Sequence, residues 1–170
     1  MLVTRGKDIL KNFNELRAIC DEFNGSSIKY EYAMELIDKI HYKNEKVIVF
    51  SYTIEPLRSL KSKIDKEYTH KSSLIYEGGM DLEERNSAIN FFKNDDESFI
   101  LLCSGKIAGE GLNLTEANNV IFLNEWWNPS SNNQARDRVY RIGQKKDVTV
   151  FNLRTRGTVE EILSNYNNEM

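Results

Sequence analysis

The chain has 170 residues, 23 basic and 26 acidic side chains and a formal net charge of −3, an average that argues against a polyanion partner. Forty per cent hydrophobic residues suffice for one ordinary core, and two prolines with nine glycines exclude low-complexity disorder. No run of about 18 apolar residues exists to cross a membrane, and Cys20 and Cys103, outside any CxxC or His-rich cluster, exclude a disulfide framework and argue against structural zinc.

The amino-terminal MLVTRGKDILKNF lacks the apolar stretch of a signal peptide, so an intracellular chain in a reducing compartment is expected. The first forty residues read as helical. Ile9, Leu10, Phe13, Leu16, Cys20 and Phe23 recur at three- and four-residue spacing and define one apolar face. Asn24-Gly25-Ser26-Ser27 interrupts it, and a second amphipathic run carries Ala33, Leu36, Ile37 and Ile40.

From Lys46 the rhythm changes. Strands are expected at 47–51, 73–76, 98–103, 119–123 and 148–153, several of them continuously apolar, as parallel strands covered on both faces are. Helices are expected near 55–67, 82–93 and 130–141. Asp81 with Glu84, and Thr158 with Glu161, have the spacing of capping boxes. Alternating strands and helices at this spacing predict an α/β domain with a parallel sheet, behind a helical extension. The expected division is 1–43 for the lead-in and 44–170 for the α/β domain. Ligands of such sheets sit in the loops beyond the carboxyl ends of the strands.

The loop 105–115, GKIAGEGLNLT, places three glycines in seven residues after a strand. It fits two readings: a tight turn between strand and helix, or backbone amides brought close to a phosphate. It is neither a Walker A loop, since Ile100 and Ile107 stand where Gly and Ser or Thr belong, nor a dinucleotide fingerprint. Further on, NNQARDRVYRIGQ at 132–144, if helical, sets Gln134, Arg138 and Arg141 on one stripe. Ala135, Val139 and Ile142 then form an adjoining apolar stripe. Such a helix is either an anion-facing surface with planar arginine forks or a solvated face. Charge favours the first reading. From Gln134 to Arg156 there are seven basic and two acidic residues, a balance of +5, so the remaining 147 residues carry −8. Trp126 and Trp127 open this region and suit either a core or a stacking surface.

The runs GKIAGEGLNLT, NEWWNP, NNQARDRVYRIGQKK and GTVEEIL together resemble the Swi/Snf-type ATPases of helicase superfamily two, in the second RecA-like lobe of their motor. LRAIC at 16–20 resembles the lead-in to that lobe, KVIVFSYT at 46–53 its motif IV, and Tyr76-Glu77-Gly78-Gly79 the motif that follows. The resemblance spans roughly residues 10 to 165. It implies a RecA-like parallel sheet flanked by helices, and a part in an ATP-driven translocase on double-stranded DNA.

The same resemblance assigns roles. Arg138 and Arg141 match the arginine fingers, with Gln134 at the start of their motif, and these three are the expected catalytic residues. Gly109, Gly111 and Asn113 match positions near the nucleotide. Ser51, Tyr52, Gly78, Gly79, Ser104, Gly105, Lys106 and Trp127 match positions along DNA. Ile107 and Ala108 depart from the paired glycines usual in the family's motif V.

The expected cofactors are ATP and Mg2+, bound mainly by an amino-terminal RecA-like lobe, because no GxxxxGK[ST] run or acidic DExH-type magnesium motif occurs in this chain. The chain alone is expected to be inactive as an ATPase and to hold no metal. Its expected partners are double-stranded DNA, that first lobe and DNA-associated protein complexes, with no membrane. The location implied is the cytoplasm or nucleoid of a bacterium, or the nucleus of a eukaryote. A non-hydrolysing nucleic-acid- or protein-binding module is the alternative, while WWNP and RIGQ are unlike the motifs of RNA helicases.

Overall fold

The computed structural model describes residues 12, 15–21, 27–104, 112–124 and 129–162. Five strands build one sheet: β1 (Val47–Ser51), β2 (Ser73–Tyr76), β3 (Ile100–Ser104), β4 (Asn119–Phe122) and β5 (Thr149–Asn152). Their spatial order is β2-β3-β1-β4-β5, and every neighbouring pair is parallel. The helices are α1 (Ile28–Tyr42), α2 (Glu55–Glu67), α3 (Leu82–Asn94) and α4 (Pro129–Arg136), preceded by a helical segment at 15–21.

The two-residue alternation of strand side chains divides the interior into two cores. Val47, Val49, Ile100, Leu102 and Ile121 join Ala33, Ile37, Ile40, Leu57, Leu60 and Ile64 on the side of α1 and α2. Ile48, Phe50, Leu101, Cys103, Val120 and Phe122 face the other way, with Phe92, Ala135 and Val139. Phe50 and Phe122, register partners across β1 and β4, stack with centroids 5.4 Å apart. Burial of both faces accounts for the unbroken apolar runs of β1, β3 and β4. β5, at the edge, is mostly exposed.

Local signals fix the helix ends. Ser27 caps α1 through a bond accepted from the Tyr30 amide. Two residues past the end of α1, Asn44 has a φ of 53°, in the left-handed region that asparagine tolerates. Pro56 sits in the first turn of α2, where its missing N–H costs nothing. Asp81 and Glu84 form the full reciprocal capping box of α3, at 2.8 and 3.0 Å. The second expected box is displaced by one residue: Thr158 accepts from the Glu160 amide, and Glu161 accepts from Gly157.

Three expectations are corrected. Strand limits move: β3 begins at Ile100 rather than 98, and β4 and β5 are a residue or two shorter. The helix expected over 130–141 ends at Arg136. Past it the bonding changes: Arg138 N and Val139 N donate only three residues back, to Ala135 O at 3.3 Å and Arg136 O at 3.0 Å, while Arg138 O accepts from Leu114 N at 3.0 Å. Gln134, Arg138 and Arg141 therefore do not share one helical stripe. Ala135 and Val139 are fully buried as expected, but Ile142 is 98% exposed.

The third correction concerns the lead-in. Of its expected apolar face, Leu16 is 52% exposed and Cys20 half-buried, whereas the charged Arg17 and Asp21, one helical turn apart, are buried. Ile9, Leu10, Phe13 and Phe23 lie outside the described residues. α1, by contrast, buries Ala33, Leu36, Ile37 and Ile40 directly on the sheet.

Candidate active site and nucleic-acid interface

The chain leaves β1 toward β2 and leaves β4 toward β5, in opposite directions across the sheet. The crevice between the carboxyl ends of β1 and β4 is therefore the topological switch point, where ligands of open α/β sheets bind. The expected DNA-facing residues line up along this carboxyl edge in the order of the strands. Gly78 and Gly79 follow β2, Ser104 ends β3, and Ser51 with Tyr52 ends β1. Ser51 and Ser104 are register partners. With neighbouring strands about 4.8 Å apart, the row from β2 to β1 spans roughly 10 Å.

The members of the row differ in what they present. Gly78 and Gly79 are exposed, and Arg85 donates to the Gly78 carbonyl at 3.0 Å. Arg58 grips Glu77 with two bonds of 3.1 Å just before them. The Ser51 side chain is fully buried and donates to Asn124 Oδ1 at 3.3 Å, so it supports the row from below. Tyr52 is 37% exposed, with the Arg17 guanidinium 5.2 Å from its ring centroid. Ser104 is buried at the end of β3.

Beneath the switch point lies a polar network absent from the sequence-based expectations. Asn124 accepts the Tyr52 amide at 2.6 Å and donates to Asp21 at 2.8 Å. Lys29 bonds Asp21 at 2.9 Å and also bonds Glu160, whose other oxygen accepts from the Thr155 amide at 2.9 Å. Lys29, Asp21 and Glu160 are each at least nine-tenths buried. Burial pushes the Asp21 carboxyl above its ordinary range against the pull of Lys29, and lowers Arg17 below its own. The network ties the lead-in, α1, both central strands and the carboxyl-terminal turn to one point. A cavity of about 340 Å³ opens beside it, between Arg17, Tyr52, Pro56 and Asn124. The one signal available in sequence was the Arg17–Asp21 spacing, hidden among many exposed charge pairs.

The second cluster lies beyond α4. Leu114 N donates to Arg138 O at 3.0 Å, which sets Asn113 beside the arginine loop. Gln144 Nε2 donates to Thr115 O at 3.1 Å and Ala117 O at 2.7 Å, while its Oε1 accepts from Lys146 N at 2.9 Å. Gly143, at φ +108°, supplies the left-handed turn that aims Gln144 back at this loop. Arg141, Gln134 and Asn113 are exposed, and Arg138 is half-buried. The structure thus brings Asn113 and Arg138 together, while Gln134 stays on α4. Gly105, Lys106, Gly109, Gly111 and Trp127 lie outside the described residues. Among the described residues there is no group of three or more His, Cys, Asp or Glu side chains able to hold a metal ion. No helix among them is long and apolar enough to cross a membrane.

Comparison with known proteins places these features. Residues 28–143 match the model of the helicase conserved C-terminal domain. The chain is 34% identical over 165 residues to a putative ATP-dependent helicase/translocase, YwqA, of Bacillus subtilis, covering 90% of this chain and 18% of that protein. It is 39% identical over 134 residues to the protein CHROMATIN REMODELING 8 of Arabidopsis thaliana, covering 78% of this chain and 11% of that one. Among solved structures, the Sulfolobus solfataricus SWI2/SNF2 ATPase core in complex with double-stranded DNA superposes with a TM-score of 0.83 at 31% identity, covering 99% of this chain and 37% of that one. The C-terminal part of the Fun30 ATPase domain gives 0.78 at 32% identity, covering 82% and 45%. The chain thus spans less than a fifth of these curated relatives.

Proposed function

Because the chain belongs to the helicase conserved C-terminal domain family, in its Swi2/Snf2 branch, we propose that it is the second motor lobe of an ATP-dependent translocase on double-stranded DNA. The observation that carries this reading is the row Gly78–Gly79, Ser104, Ser51–Tyr52 along one edge of the sheet, adjoining at β4 a loop that holds Arg138 and Arg141. Its exposed members, the Gly78–Gly79 backbone and Tyr52, suit phosphates rather than base edges, which fits a motor that must move along any sequence.

For ATP, the chain contributes a half-site. Arg138 and Arg141, with Asn113 and Gln134, are cationic and amide donors, the chemistry that a polyphosphate needs. They fit the transferring phosphoryl group rather than the whole nucleotide. When bound, Mg-ATP supplies the reactive phosphoanhydride, and an amino-terminal lobe of the longer protein holds it. The role of Arg141 and Arg138 is to stabilise charge developing on the phosphoryl oxygens, an effect that reaches about 10³ to 10⁵ in turnover in related NTPases. Closure of the two lobes would bring the arginines to the phosphate.

The test uses the longer protein containing both lobes. Double-stranded DNA should stimulate its ATPase activity. Arg141→Ala should reduce turnover by roughly 10³-fold while ATP binding is largely retained. Unchanged turnover removes the arginine-finger role. The 170-residue chain alone should show no DNA-stimulated hydrolysis; measurable turnover there contradicts the half-site reading.

A further inference from the structure

β5 is the outermost strand and, among the described residues, pairs only with β4. Thr149 N donates to Asn118 O and Leu153 N to Phe122 O, both at 2.9 Å. In a parallel ladder alternate residues turn both backbone polar groups to the same side, so the N–H and C=O of Val150 and Asn152 point away from the sheet. The strand, TVFN, contains neither proline nor charge, two devices that ordinarily protect an edge from a further strand.

The surroundings of this edge are specific. Toward α1, a hollow of about 690 Å³ opens at the amino end of β5, ringed by Lys39, Lys43, Lys145 and Lys146 over a floor of Leu36 and Phe151. Glu45 and Asp147 also border it, so lysines outnumber carboxylates there on a chain that is acidic as a whole. The Glu45 carboxylate is already engaged by Asn119 at 2.9 Å. At the other end of the strand a hollow of about 390 Å³ is bordered by Ile28 and Tyr32, which are 83% and 49% exposed, together with Arg154 and Arg156. The edge thus combines outward backbone groups, a lysine-ringed end and an end where two exposed apolar side chains lie beside two arginines.

We propose that the outer edge of β5 receives an extended acidic segment of a partner protein. The segment adds a sixth strand, pairs with the backbone of Val150 and Asn152, sets carboxylates among the four lysines, and rests an apolar side chain against Ile28 and Tyr32. Strand addition of this kind draws affinity from main-chain bonds and specificity from pockets for alternate side chains. A DNA strand would satisfy the lysines alone, leaving the outward amides and the exposed apolar pair unused. The inference does not depend on the motor reading, since the edge lies at β5 and the lysines at the opposite ends of the strands from the switch point.

Fluorescence anisotropy of a labelled peptide, Asp-Thr-Asp-Thr-Val-Thr-Val, against the 170-residue chain tests it. Saturable binding is expected, weakened at least tenfold by the double substitution Lys145→Glu with Lys146→Glu. Val150→Pro removes an outward N–H without breaking a bond to β4 and should weaken binding as strongly, with circular dichroism checking the fold. Should that variant fail to fold, the same peptide N-methylated at alternate residues must lose binding to the unaltered chain. A peptide with Lys for Asp should not bind. Absence of saturable binding overturns the proposal, as does binding insensitive to N-methylation. Displacement by duplex DNA whose own binding is lost in the double lysine variant also overturns it, and assigns the lysines to DNA.

Discussion

Asn124, just past the end of β4, accepts the backbone amide of Tyr52, just past the end of β1, at 2.6 Å. One buried side chain thereby locks together the two central strands at the point where the sheet changes direction. Its other end donates to Asp21, so the lead-in segment is fastened to the same point. The residue row along the carboxyl edge is positioned from beneath by this bond.

Replacing Asn124 tests that role. Asn124→Ala leaves the Tyr52 amide and an Asp21 oxygen unsatisfied in a buried setting, and should lower stability by about 2 kcal/mol in urea titration. Asn124→Asp keeps the acceptor but faces a carboxylate toward Asp21, whose carboxyl is already raised. A carboxyl raised in the folded state contributes stability that is full at low pH and lost as pH rises through its folded value. The Asp variant should therefore be more destabilised relative to the unaltered chain at pH 7 than at pH 5.

Lys29 sits between Asp21 and Glu160, and Lys29→Met would leave two buried carboxylates without their cation. A loss of about 3 to 5 kcal/mol is expected. Adding Asp21→Asn and Glu160→Gln to Lys29→Met should recover a large part of it, because the cost lies in uncompensated buried charge. Thermal melts of the unaltered chain, the single variant and the triple variant decide the matter. Equal stability of the single and triple variants would contradict the assignment.

Gln144 joins the arginine loop to residues 115–117 through two carbonyls. Gln144→Ala should lower stability by about 1 to 2 kcal/mol and accelerate hydrogen exchange at the Leu114 amide, which bonds Arg138 O. Gln144→Glu should be worse, since a carboxylate cannot donate to either carbonyl. In the longer protein both variants should reduce turnover more than ATP affinity.

Glu45 is held below the ordinary carboxyl range, foremost by its bond from Asn119, with further help from Asn118, Lys146 and Lys43. A depressed carboxyl contributes stability present above its unfolded value and lost as pH falls through its folded value. Glu45→Gln should accordingly be less stable than the unaltered chain at pH 7, with the gap closing below about pH 4. A gap that stays constant from pH 7 to pH 3 would show that Glu45 acts through packing instead.

The sheet was legible because its strands are short apolar runs, and β1 and β2 fall where the pattern predicts. Continuous hydrophobicity in 47–51 and 100–104 reports burial on both faces, a property of parallel sheets that local sequence carries. The same holds for the Asp81–Glu84 cap, which is satisfied within four residues. The resemblance of NEWWNP and QARDRVYRIGQ to the Swi/Snf lobe likewise points to the family from sequence alone.

What the sequence could not determine depends on distant partners. Helical periodicity runs through Arg141, yet the helix stops at Arg136: the Arg138 and Val139 amides bond three residues back, and Leu114 and Gln144 hold the carbonyls of the same two residues in a loop. The lead-in's apolar stripe suggested an inward Leu16, but the buried positions are Arg17 and Asp21, for which Tyr52, Lys29 and Asn124 provide partners. Lys29 and Glu160 stand 131 positions apart in sequence. Spacing rules describe what one segment can bury; whether a buried charge is tolerated is decided by the counter-charge that only the tertiary fold brings to it.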